Sequence, residues 1–236
     1  MWDFEQGEIL AFDKPLHWTS FDLVAKVRHN VCRKIGKKKL KVGHSGTLDP
    51  LATGVVIVCT GKKTKLIDQL QYDVKEYIAT LQLGATTPSY DLEKEVDATY
   101  PTEHITRALI EETIPQFVGE QWQVPPMFSA VQINGKRAYE LARKGETVEL
   151  KPKLLVIDEI EILSFDEVQM QLTIRVVCSK GTYIRALARD IGERLGTGAH
   201  LIALRRTRVG DTRVEDCWTI DTFLEQLKQY EYVQNE

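Results

Sequence analysis

Cysteine is scarce and scattered in this chain. The four present, Cys32, Cys59, Cys178 and Cys217, lie far apart with no C-x-x-C pair. That pattern speaks against a zinc site or a disulfide framework and for a reducing compartment. Long apolar runs are also missing: no stretch approaches the roughly 18 residues needed to cross a bilayer. The first ten residues, MWDFEQGEIL, are acidic and have no apolar core, so no signal peptide is expected. The five histidines (His17, His29, His44, His104 and His200) form no i, i+4 metal pair, and a metal enzyme is not expected. Internal repeats, low-complexity tracts and Gly/Ser linkers are absent too. The 236 residues therefore read as one soluble, cytoplasmic domain, long enough to bury a full core.

What the chain does have is charge sorted by position. The net charge of −3 conceals a basic segment at 1–65, with 12 Lys/Arg against 6 Asp/Glu. Residues 131–153 carry 6 against 3 and residues 180–213 carry 8 against 3, while the remainder is strongly acidic. Three basic segments can gather into one basic face even when the total is near neutral, and such a face suits a polyanion.

The periodicities predict an α+β protein with a mixed sheet. Residues 7–15 read as a strand closed by Pro15. Residues 19–36 read as a helix capped by Thr19 or Ser20, with Phe21, Val24, Val27, Val31 and Ile35 at helical spacing. KKKLK (37–41) reads as an exposed basic turn, VVIVCT (55–60) as a buried strand, and 63–71 as a short helix. KEYIATLQLG (75–84) alternates Tyr77, Ala79, Leu81 and Leu83 on one strand face. A helix is expected over 102–114, and Pro125 with Pro126 breaks any regular element after it. KRAYELARKGE (136–146) reads as a basic helix. The segments 154–164 and 168–179 pair as a hairpin, 181–196 forms an amphipathic helix, and a strand (about 204–210) and a helix (219–230) follow.

Two familiar motifs fail on inspection. GVVIVCTGKKT ends like a phosphate loop, but G-x-x-x-x-G-K requires glycine at position 56, which is Val56. GHSGT approaches a nucleophile elbow, but G-x-S-x-G requires glycine where Thr47 stands. Asp49, in GHSGTLDPLATG (43–54), admits two readings. It can be the first residue of an Asp-Pro turn. Alternatively, Gly43, Gly46, Ala52 and Gly54 keep the surroundings thin, allowing close approach by a ligand or a second backbone. The loop runs straight into a buried strand, and basic residues flank it at 37–41 and at 62–65, where Lys65 is a candidate RNA contact. A second constellation, CSKGTYIRALARDIG, places Lys180, Tyr183 and Arg185 where a strand turns into a helix. Arg185 there can pair with a carboxylate.

With these residues assembled, the sequence resembles the TruB family of pseudouridine synthases. GHSGTLDPLATGVVIVCTGKKTK is similar to the family's catalytic motif. The likeness continues through LAFDKP, KEYIATLQLGATT, PPMFSAVQINGKRAYELARKG, CSKGTYIRALARDIGERLGTGAH and LRRTRVG, over nearly the whole chain. The resemblance implies the pseudouridine synthase fold, a largely antiparallel central sheet flanked by helices. It implies isomerisation of uridine to pseudouridine at position 55 in the T-loop of tRNA, without cofactor or metal. It makes Asp49 the essential aspartate, Tyr77 the tyrosine that stacks on the target base, and Arg185 the arginine that pairs with the aspartate. Tyr183 and Leu204 would line the pocket, Lys14 would lie behind the loop, and His44 would contact the RNA. The route of C–N cleavage, through an ester at C1′ or through a glycal, stays open at this level. The chemistry is consistent: an aspartate is ionised at neutral pH and needs no separate base to act as a nucleophile. A stacked base must be flipped into a pocket with an aromatic face.

Within the single domain, residues 125–152 match the family's insertion, a basic flap in which Lys136, Arg137, Arg143 and Lys144 would meet RNA. The sequence departs from the family pattern twice. It ends soon after 219–230, so the C-terminal PUA domain of many relatives is expected to be lacking. Where many members read T-D-T-x-D, this chain has Thr87-Pro88-Ser89-Tyr90-Asp91, keeping only the second acidic position, Asp91, as a substrate contact. The expectation is a monomeric enzyme that acts on the T-arm without guide RNA and without a membrane. The competing readings are a guide-directed relative and a tRNA-folding chaperone.

Overall fold

The computed structural model describes residues 2–71, 73–129, 131–133, 135–138, 141 and 150–230. Along the chain run β1 (Ile9–Lys14), α1 (Ser20–Lys34), β2 (Val42–Ser45), β3 (Ala52–Thr60), a 3-10 turn (Gly61–Leu66) and α2 (Ile67–Leu70). Next come β4 (Lys75–Leu83), β5 (Ala85–Thr86), β6 (Ala98–Thr99), α3 (Arg107–Thr113), β7 (Gly119–Gln123), β8 (Gln132–Ile133) and β9 (Lys136–Arg137). Then follow β10 (Lys153–Asp166), β11 (Gln171–Cys178), α4 (Ile184–Arg194), β12 (Ala199–Val209), β13 (Thr212–Arg213) and α5 (Ile220–Gln229). The class is α+β, and the pairings β1–β3, β2–β3, β12–β13, β10–β11 and β10–β7 are all antiparallel.

The chain divides into two compact units, Met1–Glu76 with Arg205–Glu236, and Tyr77–Leu204. In the first, β3 is the axis. Its residues from Val55 to Thr60 are all buried, because a β-branched run with no polar alternation can only be covered on both faces. β1 pairs along it from Ile9↔Cys59 to Lys14↔Gly54, and β2 pairs from Val42↔Thr60 to Ser45↔Ile57. Helix α1 starts on a capping box. The Thr19 side chain accepts from the Asp22 N–H, and the Asp22 carboxylate accepts from the Thr19 N–H, a device worth about 1 kcal/mol. Its buried stripe is Ser20, Leu23, Val24, Val27 and Val31, with Ile35 beyond. Phe21, expected on that stripe, is 64% exposed. At about 100° per residue it falls roughly 90° from the centre of the stripe, while Leu23 falls inside it.

In the second unit, β4 buries every other residue from Lys75 to Leu83, the alternation predicted for it. The hairpin of β10 and β11 pairs from Ile157↔Cys178 to Asp166↔Gln171, as the two alternating segments required. Several boundaries differ from expectation: the helix expected over 181–196 begins at Ile184, and the one expected over 63–71 is a 3-10 turn followed by Ile67–Leu70. The helix expected over 102–114 begins only at Arg107, because the Thr106 side chain caps it by accepting from the Leu109 N–H. The strand expected at about 204–210 extends back to Ala199, where three successive buried residues hide the alternation. The helix expected over 136–146 does not begin at 136. Lys136 and Arg137 instead pair with Ile133 and Gln132 in a two-stranded hairpin, and most of the remaining segment lies outside the described residues.

Candidate active site

Asp49 lies in the loop between β2 and β3, and the loop's backbone is tied down at several points. The Leu48 N–H donates to Ser20 Oγ (2.9 Å), and that hydroxyl donates back to the Leu48 carbonyl (3.2 Å), so the loop is pinned to the first residue of α1. The His17 N–H donates to the Pro50 carbonyl (2.7 Å), and the Ala52 N–H donates to the Asp49 carbonyl (3.0 Å). The third clamp is Arg206 on β12, which is 1% exposed. Its Nε donates to the Val55 carbonyl (2.7 Å), Nη2 to the Gly46 carbonyl (3.3 Å) and Nη1 to the Thr47 carbonyl (3.5 Å). One planar fork thus holds the strand after Asp49 and the turn before it. Gly54 is what lets Arg206 come so close. It has φ +111°, and a Cβ there would stand 2.1 Å from the Arg206 carbonyl oxygen. Asp49 thus stands, half-buried, in a fixed Asp-Pro turn.

A buried lysine and a histidine lie beside this loop. Lys14, fully buried at the end of β1, donates to the carbonyls of Pro15 (2.9 Å) and Trp18 (2.6 Å). Burial pulls its pKa down to about 8, with the nearby Asp49 charge opposing and Arg206 reinforcing the shift. His44, half-buried on β2, has its pKa lowered by burial first and then by Arg206, which favours the neutral ring. Among the described residues, its Nδ1 and the Ser45 Oγ beside it are buried without a well-formed hydrogen-bond partner, while the Gly46 backbone beside the His44 ring opposes the shift. Lys65 is exposed on the 3-10 turn that follows β3.

The second unit carries the other expected residues. Tyr77 is buried on β4. Tyr183 caps the start of α4, where its N–H donates to Gln123 Oε1 (2.9 Å) and its carbonyl accepts from Gln123 Nε2 (3.2 Å). Arg185 follows in the first turn, buried. Its Nη1 donates to the Ser89 carbonyl (3.1 Å), its Nη2 to the Phe128 carbonyl (2.9 Å), and its Nε lies 3.7 Å from Asp91 Oδ2. An exposed arginine at a helix start, the bland alternative, is thereby excluded. Asp91 is buried in this cluster and accepts from the Glu93 N–H through Oδ1 (3.0 Å). Leu204 is half-buried on β12. Of the flap residues, Lys136 and Arg137 are on β9, and Arg143 and Lys144 lie outside the described residues.

Sequence reasoning missed Ser20 and Arg206. Both hold the loop through backbone carbonyls or N–H groups, which leave no mark in side-chain chemistry. The one available signal for Arg206 is a charged residue inside a strand that buries its neighbours. Among the described residues, no group of three His, Cys, Asp or Glu is placed to hold a metal ion, and no helix is long and apolar enough to cross a membrane.

The scaffold is α+β with a largely antiparallel sheet flanked by helices, and solved structures share it. The chain superposes on the archaeal box H/ACA sRNP Nop10–Cbf5 complex with a TM-score of 0.66 at 27% identity, covering 95% of this chain and 54% of that one. It superposes on a Cbf5–Nop10–Gar1 complex with a TM-score of 0.68 at 28% identity, covering 94% and 54%. The chain therefore spans about half the length of those proteins. Residues 33–184 match the N-terminal domain of the TruB family pseudouridylate synthases, and residues 185–236 match the tRNA pseudouridylate synthase B C-terminal domain. The chain belongs to the TruB family of pseudouridylate synthases. It is 66% identical over 229 residues to tRNA pseudouridine synthase B of Phocaeicola vulgatus, covering 97% of both chains. It is 65% identical over 236 residues to the same enzyme of Bacteroides thetaiotaomicron, covering 99% of this chain and 98% of that one.

Proposed function

We propose that this protein isomerises the uridine at position 55 in the T-loop of tRNA to pseudouridine, as a cytoplasmic monomer without cofactor, metal or guide RNA. The observation that carries the proposal is the Asp49 loop, pinned at Leu48, Pro50, Gly46 and Val55 by groups outside it. A nucleophile held this rigidly loses little freedom when the substrate arrives. The target nucleotide is flipped out of the loop, at a cost of a few kcal/mol that phosphate contacts offset. The Asp49 carboxylate attacks the flipped nucleotide and assists cleavage of the C1′–N1 bond. The freed uracil turns, C5 bonds to C1′ as the Asp49 carboxylate is released from the nucleotide, C5 gives up its proton and N1 takes one, so that the product is an isomer of the substrate.

Tyr77 supplies an aromatic face to the base and assists removal of the C5 proton. Arg185 holds the aspartate ionised and oriented. Tyr183 and Leu204 line the pocket, Lys14 supports the loop with positive charge, and Lys65 and Asp91 contribute to substrate binding. His44 meets the RNA, and its Nδ1, buried without a well-formed partner among the described residues, is a group that an incoming nucleotide can satisfy. The insertion at 125–152, within a single catalytic domain, closes over the T-arm through Lys136, Arg137, Arg143 and Lys144. Direct action on tRNA is supported by the near full-length relatives named as tRNA pseudouridine synthase B.

The test is incubation of unmodified tRNA with the wild type and with Asp49→Asn, followed by mapping of pseudouridine. The wild type is expected to modify the T-loop uridine and the variant to modify nothing. Modification by Asp49→Asn would remove the nucleophile assignment, and tight binding without modification by the wild type would favour a chaperone.

A further inference from the structure

Two arginines one turn apart on α4 reach off the helix to the same short segment, residues 87–91. Arg185 takes the Ser89 carbonyl and lies beside the Asp91 carboxylate. Arg189 lies over the intervening residue, with its guanidinium carbon 5.0 Å from the centroid of the Tyr90 ring, and it also hydrogen-bonds the Tyr90 side chain. Arg189 is itself fixed. Its Nε and Nη2 donate to Asp190 Oδ1 (2.8 and 2.6 Å), Nη2 also donates to the Val124 carbonyl (3.2 Å), and its side chain is only 14% exposed.

Tyr90 needs such a platform. It has φ +61°, the left-handed region that an aromatic residue enters only at a cost. Its N–H donates to the Thr87 carbonyl (3.1 Å), and its carbonyl accepts from the Leu201 N–H (2.9 Å). The Thr87 hydroxyl donates to the Asp91 carbonyl (2.7 Å), closing the turn around it. Tyr90 is therefore the corner of a turn whose flanking residues, Ser89 and Asp91, are partners of Arg185. If the corner relaxed toward ordinary φ, Ser89 and Asp91 would swing apart. A shift of about 1 Å is enough to take an acceptor at 3.1 Å beyond hydrogen-bond reach.

We propose that Arg189 and Tyr90 are a positioning pair: the guanidinium stacked on the ring holds the left-handed turn at 89–91, and the turn fixes where Arg185 points. The proposal rests on the reading of Arg185 as an active-site residue. A partly buried cation–π contact is strong enough to shift a conformational equilibrium by roughly 2- to 30-fold. That range is comparable with the preference of a non-glycine residue against the left-handed region. Without the stack, the turn would sample its relaxed form, and Arg185 would spend part of its time misdirected.

The experiment compares Tyr90→Phe, Tyr90→Ala, Tyr90→Asn and Arg189→Gln with the wild type in steady-state kinetics on unmodified tRNA. Phenylalanine keeps the ring face but loses the hydroxyl that hydrogen-bonds Arg189. Alanine removes the ring and keeps the cost of the left-handed region, whereas asparagine removes the ring and tolerates that region. Tyr90→Phe is expected within about threefold of wild type, Tyr90→Ala and Arg189→Gln each lower kcat on the order of tenfold and leave KM within about twofold, and Tyr90→Asn recovers most of the alanine loss. The Tyr90→Ala, Arg189→Gln double variant is expected to be no worse than either single one, because both remove the same contact. A Tyr90→Ala enzyme with wild-type kcat, a loss confined to KM, or full additivity in the double variant would overturn the proposal. Solvent exchange of the Arg185 Nε–H, followed by NMR, gives a readout independent of turnover. It should quicken at least tenfold in Tyr90→Ala, and an unchanged rate would overturn the positioning role. A wild type that forms no pseudouridine while Arg185 still loosens in the variant would instead remove the functional reading and leave the pair intact.

Discussion

Replacing Arg206 by methionine tests whether the clamp on the Asp49 loop serves the reaction. Methionine fills much of the aliphatic volume and donates nothing. The variant loses two well-formed charge-assisted bonds, to Val55 (2.7 Å) and Gly46 (3.3 Å), and a marginal one to Thr47 (3.5 Å). At about 1.5–3 kcal/mol for each good bond the gross loss is about 3–6 kcal/mol. Part of it is returned because a guanidinium that is 1% exposed no longer has to be desolvated. The net destabilisation is on the order of 3 kcal/mol, which for a chain of this size lowers Tm by about 6–12 °C. Catalysis should suffer more than stability. With the turn at Gly46 and Thr47 released, a carboxylate displaced by about 1 Å costs on the order of 100-fold in kcat. KM for tRNA should change little, because the RNA-binding surface is untouched. Arg206→Lys keeps the charge, but a single ammonium cannot span Gly46 and Val55 as the fork does, so an intermediate kcat is expected. Assays well below the lowered Tm separate the two effects. A variant that loses the expected Tm but keeps kcat within about threefold would refute the idea that Arg206 positions Asp49.

Three further outcomes follow from individual residues. His17 is exposed at φ +66°, so His17→Gly should relieve left-handed strain and stabilise the protein by about 1 kcal/mol in denaturant titrations, while His17→Ala should not. Lys14 titrates near pH 8 when folded against 10.5 unfolded, so between these values the unfolded chain binds more protons. Its contribution to stability is therefore present in full above about pH 10.5 and is lost as pH falls through 8, on the order of 3 kcal/mol in all. Lys14→Met should flatten that slope when unfolding midpoints are compared at several pH values across the window. Replacing Lys136, Arg137, Arg143 and Lys144 together should weaken tRNA binding and make the slope of log K against log salt shallower by up to about 3. An unchanged slope would mean that the flap does not touch phosphate.

The division between what was legible in the sequence and what was not follows the chemistry of each contact. β4 and the β10–β11 hairpin were legible because one face of each is buried and the side-chain period is two. α1 was legible because its cap and stripe agree. β2 and β7 escaped: VGHS is too short for a period, and GEQWQ carries Trp122 at 71% exposure, so its only large apolar residue points away from the core. The site divides in the same way. Asp49, Tyr77 and Arg185, the proposed catalytic residues, stood out because their side chains carry recognisable chemistry in recognisable motifs. Ser20, Arg206 and Arg189 could not, because they act on main-chain carbonyls, N–H groups or a ring brought close only by folding. A residue that makes the chemistry is written in its own identity; a residue that holds it in place is written in the fold's. The variants at Arg206 and Tyr90 accordingly probe a layer of the active site that motif comparison alone does not reach.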